Sequence, residues 1–112
     1  MTITFTYKQG VSLRFGSQLL GDDNLPVSGI GVEVSSTAKH KETGTTQVLD
    51  LVWVDRALGS FEFWAQGDRT CATWIVGTWE CDVVVSIAGA APGGLPLIDA
   101  TDTVYLVIEE RP

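Results

Sequence analysis

The chain has 112 residues, of which 45% are hydrophobic and 19% are charged, and this composition suits one folded domain over residues 1–112. Fourteen acidic residues outnumber seven basic ones, and the resulting net charge of −7 disfavours nucleic acid as a partner. The apolar runs are shorter than the ~20 residues that a transmembrane helix needs, so we expect no membrane span. The alternating amino terminus lacks the continuous apolar stretch of a secretory signal.

Polar and apolar residues alternate along most of the chain, and no segment has the apolar periodicity of a helix, so we predict an all-β domain. In the first strand Ile3, Phe5 and Tyr7 share one face, and threonines share the other. The alternation ends in the segment 21–26, whose glycine, aspartates, asparagine and proline are typical of a turn. It resumes at Ile30, and a charged hairpin tip follows.

The next strand, from Val48 to Val54, is apolar on both faces apart from Asp50. Such a strand is either central in the sheet or covered by a partner. In the strand over residues 61–65, Phe61, Phe63 and Ala65 face inward, while Glu62 and Trp64 point outward. The outward residues of these two strands form a predicted interface that comprises Val48, Val52, Val54, Glu62 and Trp64.

The longest predicted strand begins in the stretch 77-GTWECDVVVSIAG-89. The spacing of Gly77, Trp79 and Cys81 resembles the opening of strand F in an immunoglobulin domain. A glycine- and proline-rich loop over residues 89–94, a short return strand and a closing strand follow, which brings the count to about eight strands. The inward set of the long strand is Trp79, Cys81, Val83, Val85 and Ile87.

The cysteines do not fit the disulfide of an immunoglobulin domain, which joins strand F to strand B across two sheets. No cysteine precedes Cys71, and Cys71 lies only ten residues before Cys81, in what reads as the connection into the same strand. We therefore expect both thiols to be reduced. The predicted fold is an immunoglobulin-like antiparallel β-sandwich of about eight strands without a disulfide.

Two longer segments, 21–36 and 59–85, resemble the amino-terminal immunoglobulin-like domain of phage baseplate upper proteins. Gly77, Trp79 and Asp82 stand where that family has a glycine, an aromatic residue and an acidic residue at the start of a long strand. The resemblance implies a non-enzymatic virion protein that is assembled in the host cytoplasm. Family members usually carry a long carboxy-terminal extension, and since this chain stops at Pro112 we expect a tail or baseplate adaptor, a completion protein or a decoration protein.

Such a protein is expected to bind other phage structural proteins and copies of itself through apolar patches, without a cofactor. Strand addition at a sheet edge is a further mode, through the first strand, Thr2–Tyr7, or the last, Thr103–Glu110. Tryptophan is enriched at protein interfaces, which favours a contact role for Trp64.

Three other functions compete with this interpretation. A carbohydrate- or ligand-binding module would use Trp64 as a stacking platform. An enzyme would need a base, but His40 is the only histidine and we expect it to be solvated at the hairpin tip, so no catalytic triad forms around it. Paired carboxylates are also possible calcium ligands, although aspartate is a common turn residue. These pairs are Asp22 with Asp23 and Asp99 with Asp102.

Overall fold

Eight β-strands contain most of the residues that the structure describes, which are 3–21, 23–100 and 103–111, without the side chain of Asp99. In this computed structural model two short 3-10 turns, Arg56–Leu58 and Pro92–Gly94, connect strands. No helix in these ranges has the length and apolar character needed to cross a bilayer. The strands are β1 Ile3–Lys8, β2 Arg14–Gln18, β3 Val32–His40, β4 Thr46–Asp55, β5 Ser60–Ala65, β6 Gly77–Ile87, β7 Leu97–Ala100 and β8 Val104–Glu109.

The strands form one mixed sheet in the order β1-β8-β6-β3-β4-β5-β2, and β7 pairs with β6. No backbone ladder joins β1 to β2 in the described ranges, but side chains bridge this seam. The rings of Phe5 and Phe15 stack with their centroids 5.7 Å apart, and the Tyr7 hydroxyl donates to the carbonyl oxygen of Arg14 at 2.6 Å. The sheet is therefore nearly closed into a barrel.

The predicted two-sheet sandwich is wrong, whereas the all-β class, the eight strands of the described ranges and the absence of a disulfide agree with the structure. The ten-residue strand β4 explains the difference, because Thr46–Val48 pair with β3 and Leu49–Asp55 pair with β5. β4 therefore joins β3 and β5 in one continuous hydrogen-bonded sheet, whereas in a sandwich the strands would separate into two sheets. In addition, β1 runs parallel to β8, so the sheet is not purely antiparallel.

Alternate positions along the strands fill the barrel with apolar side chains. The inward residues of β6 follow the predicted pattern: the first three are buried and the last two are partly buried. Aromatic rings from β2 and β5 meet at its centre, with Phe63 5.7 Å from Phe15 and 5.6 Å from Phe61 between centroids. Burying a large apolar side chain stabilises a fold by about 1.5–3 kcal/mol, so this cluster is a main source of stability.

The barrel has two ends, and different segments build them. At the His40 end, β3 finishes at His40 and β6 begins at Gly77. At the Leu20 end, β3 begins at Val32, β6 finishes at Ile87, and the chain leaving β2 passes through Leu20. The molecule measures 50 × 27 × 26 Å, so surfaces at opposite ends can bind different molecules.

Candidate functional site

The five residues of the predicted interface lie together on the outer surface of β4 and β5. In the sheet register Val52 is opposite Glu62, and Asp50 is opposite Trp64, which in turn is opposite Arg14 of β2. Directly opposite residues of neighbouring strands point to the same side of a sheet. We call this surface the valine face, and it comprises Val48, Asp50, Val52, Val54, Glu62, Trp64 and Arg14.

The three valines of this face are exposed although β4 lies in the interior of the sheet. The exposed fractions are 52% for Val48, 36% for Val52 and 63% for Val54. Leu49 and Leu51 take the inward positions of the same strand, so the second apolar side has no core to cover it. β4 is thus central, and its outward valines remain uncovered in the described part of the chain.

Trp64 is partly buried, because two arginine side chains lie against its ring. The guanidinium carbon of Arg14 is 5.2 Å from the ring centroid, and that of Arg69 is 5.9 Å away. Arg14 also pairs with Glu62 at 3.3 Å, and Arg69 pairs with Asp50 at 3.4 Å. A sugar would have to displace these cations in order to stack on the indole, so the ring is not a free platform.

His40 is buried, and the prediction that it is solvated is wrong. β3 extends to His40, the second residue of the expected hairpin tip, so the alternation that starts at Val32 places His40 on the inward side. Its Nε2 lies 3.1 Å from the carbonyl oxygen of Val76, and its Nδ1 accepts from the backbone N–H of Thr43 at 3.2 Å. The tautomer protonated at Nε2 satisfies both contacts, so the imidazole is a structural cross-link.

Gly77 and Trp79, the start of the immunoglobulin-like motif, pack against this histidine. Gly77 has φ +130°, and a Cβ there would lie 2.7 Å from His40 Nε2, so only glycine fits. The indole N–H of Trp79 donates to the carbonyl oxygen of Ile75 at 2.9 Å, and its ring centroid is 4.6 Å from that of Trp74. In this structure the motif forms the core of the His40 end.

The remaining motif residues, Cys81 and Asp82, point to opposite sides of β6. Burial raises the pKa of the Cys81 thiol to about 11, and a hydrogen bond with Ser36 opposes this rise. A thiol with so high a pKa is a poor nucleophile near neutral pH. The side chain of Asp82 is exposed and accepts a hydrogen bond from the Thr103 hydroxyl at 3.0 Å.

The groups considered for catalysis or metal binding do not converge in the described ranges. The buried Cys71 thiol donates to the carbonyl oxygen of Lys8 at 3.2 Å, and both nitrogens of His40 are engaged. No group of three or more histidine, cysteine, aspartate or glutamate side chains is placed to hold a metal ion there. Of the predicted calcium pairs, Asp22 and Asp102 lie outside the described residues.

No protein-family model matches the sequence, and no curated protein matches it.

Proposed function

We propose that the chain is a non-enzymatic structural protein of a phage virion, which binds other virion proteins or copies of itself through the valine face. An adaptor, a completion protein and a decoration protein of the tail or baseplate all fit this role. The observation that carries the proposal is the exposure of Val48, Val52 and Val54 on the outer side of an interior strand.

Covering these valines would stabilise a complex. Residues on one side of a strand recur about every 7 Å, so Val52 and Val54 are adjacent in an apolar row, and Asp50 separates them from Val48. Burial of apolar surface contributes roughly 25 cal/mol per Å², and β4 itself needs no further backbone pairing because β3 and β5 flank it. A partner therefore gains most by laying an apolar surface on the row.

The charges of the valine face also favour association with a protein. Glu62 pairs with Arg14, and Asp50 pairs with Arg69, which lies beside the valine face, so these four groups together carry no formal net charge on a chain of net charge −7. Even a second acidic copy can approach here without strong repulsion. The pairs are partly exposed and contribute little to stability, so their main effect is on the orientation of the partner.

The placement in a virion is supported by the sequence resemblance of segments 21–36 and 59–85 to phage baseplate upper proteins. Two of the residues that carry this resemblance have structural roles at the start of β6, where Gly77 and Trp79 pack against the buried His40. Partners that are phage structural proteins are also consistent with a face built for protein contact.

The test is size-exclusion chromatography with light scattering, on the chain alone and mixed with tail and capsid proteins encoded near its gene. We expect a complex or an oligomer that Val52→Lys disrupts, because the lysine places a charge in the row. The matched control is Leu25→Lys, since Leu25 is exposed but lies outside the valine face.

A strict monomer at high concentration that binds none of these proteins contradicts the proposal. Glycan-array binding that Trp64→Ala abolishes, with assembly unchanged, would instead support the carbohydrate-binding alternative.

A further inference from the structure

An apolar groove of about 440 Å³ lies at the Leu20 end, where the chain leaves β2. One wall comes from inward positions of β3 and β6, and the other comes from the chain that leaves β2. The apolar side chains that line it are Leu19, Leu20, Val27, Val32, Val85 and Ile87. Because Val32 and Ile87 belong to inward-facing rows, the groove is an uncovered part of the core side of the sheet.

β7 pairs with β6 next to this groove, since Leu97 is opposite Ile87, which lines it. β3 pairs along one side of β6 over residues 79–87, so β7 and β8 both lie on the other side. β1 covers β8 starting from the pair Ile3 and Val104, but within the described ranges no strand pairs with the outer edge of β7. This edge therefore offers backbone hydrogen-bonding groups to an added strand.

Leu97 shows that the inner side is uncovered at this edge. It is opposite Ile87 in the register, so its side chain points to the barrel interior, yet it is 40% exposed. A strand beside β7, in line with β1, would cover Leu97 and send every second side chain towards the groove. The edge and the groove thus fit the same extended segment.

The charged residues at the Leu20 end indicate the charge that a partner of the groove should carry. Among the described side chains of residues 18–33, 54–60 and 84–98, the acids are Asp23, Glu33 and Asp55, and the only base is Arg56. The Arg56 guanidinium is engaged, since it donates to the carbonyl oxygens of Gly29 and Val32. Glu33 alternates with the inward Val32 and so points away from the groove, which leaves Asp23 and Asp55 as the acids nearest to it in the fold. Together with the net charge of −7, they favour a segment with basic flanks and disfavour a second copy of this chain.

We propose that the groove and the outer edge of β7 accept an extended β-strand from a different protein, with apolar side chains at alternate positions and lysine or arginine at its flanks. Main-chain hydrogen bonds along β7 would provide affinity, and the groove would select the alternating side chains. This surface is separate from the valine face, so one chain can join two partners.

A synthetic peptide tests the proposal directly: valine alternates with threonine over seven positions, and two lysines stand at each end. The control peptide has the same composition with its valines contiguous. We expect the alternating peptide to bind at least about tenfold more tightly, because only its valines all face the groove. We also expect slower hydrogen exchange of amides in Leu97–Ala100, and weaker binding at high salt.

Two groove variants locate the binding site on the protein. Leu20→Asp and Val27→Asp place a charge in the groove at exposed positions, so both should fold and bind the peptide at least about tenfold more weakly. Val54→Asp, on the valine face, should bind it like the wild type. Circular dichroism confirms folding of each variant.

Three results overturn the proposal: equal binding of the two peptides or no binding of either, unchanged exchange in β7, or full binding by both groove variants. A wild-type dimer that Leu20→Asp dissociates also overturns it, because the groove would then bind a second copy. Val54→Asp and Val52→Lys report on the valine face alone, so failure of one proposal is distinguishable from failure of the other.

Discussion

Both ends of the barrel contain large apolar side chains, but these side chains are buried at one end and exposed at the other. At the His40 end, Trp79 and His40 are buried, and Trp74 packs against Trp79. At the Leu20 end, Leu20 and Val27 remain largely exposed. One end is a closed core and the other is an open apolar surface.

The connections explain this difference. The crossover between β5 and β6 closes the His40 end, where Cys71 N–H donates to the carbonyl oxygen of Val11 and the Gln9 side chain donates to that of Trp74. The segment 19–27 instead pairs with itself, with Val27 N–H donating to the carbonyl oxygen of Leu19. Apolar composition alone thus does not separate core from contact surface, and the path of the connecting loop does.

The largest expected effect is at the closed end. Trp79→Ala removes a fully buried ring and its hydrogen bond to Ile75, so we expect a loss of about 3–5 kcal/mol in the free energy of unfolding. Urea denaturation measures it. Leu25→Ala at the open end is the control, with an expected change within about 0.5 kcal/mol. Equal losses in both variants would contradict the difference between the ends.

His40→Ala should be the next most harmful change. It leaves the N–H of Thr43 and the carbonyl oxygen of Val76 without their partner, at a cost of about 1–3 kcal/mol. Lys39→Ala, on the outward side of the same strand, serves as the control. If both variants unfold at the same urea concentration, the imidazole is not the cross-link described here.

A smaller effect should appear at alkaline pH. Burial raises the pKa of Tyr7 from 10.0 to about 12, and the negative charge of the nearby Cys81 and Cys71 sulfurs, when ionised, adds to this rise. Burial also raises the pKa of Cys81 from 9.0 to about 11. Both groups hold their protons more tightly in the folded state. Their contribution to stability is therefore complete below pH 9 for Cys81 and below pH 10 for Tyr7, and it is lost as pH rises to 11 and 12, respectively.

Urea denaturation at a series of alkaline pH values checks this dependence. Cys81→Ala should reduce the fall in the free energy of unfolding between pH 9 and about pH 11. Tyr7→Phe should reduce it between pH 10 and about pH 12. If neither substitution changes how the free energy of unfolding depends on pH, other groups cause the alkaline sensitivity.

The smallest effect on stability is expected for Leu20→Asp. Its side chain is exposed at the open end, so the free energy of unfolding should change by no more than about 0.5 kcal/mol. Thermal and urea denaturation of the variant and the wild type provide the comparison. A loss as large as that of His40→Ala would show that the open end is core.

Alternation in the sequence predicted the inward residues of β5 and β6, because a two-residue period determines the face. β4 is apolar on both sides in the sequence, and Val48, Val52 and Val54 of the predicted interface are exposed in the structure. Alternation could not distinguish a sandwich from a nearly closed barrel, because strand pairing depends on contacts between distant segments. Because Lys39 and Lys41 flank His40, the sequence indicated an exposed hairpin tip, and the inward position of His40 was not predicted.

The groove at the Leu20 end was not predictable from the sequence. Leu19, Leu20 and Val27 lie in a turn-rich stretch without a regular period, and their common surface appears only when β2 and β6 come together.

The most direct test of association through the valine face is carbene footprinting of the chain alone and in a purified complex with a virion protein. We expect labelling of Val48, Val52 and Val54 to fall in the complex, while Leu25 is labelled as before. Unchanged labelling of the three valines in a stable complex, or the absence of any complex, would contradict the account.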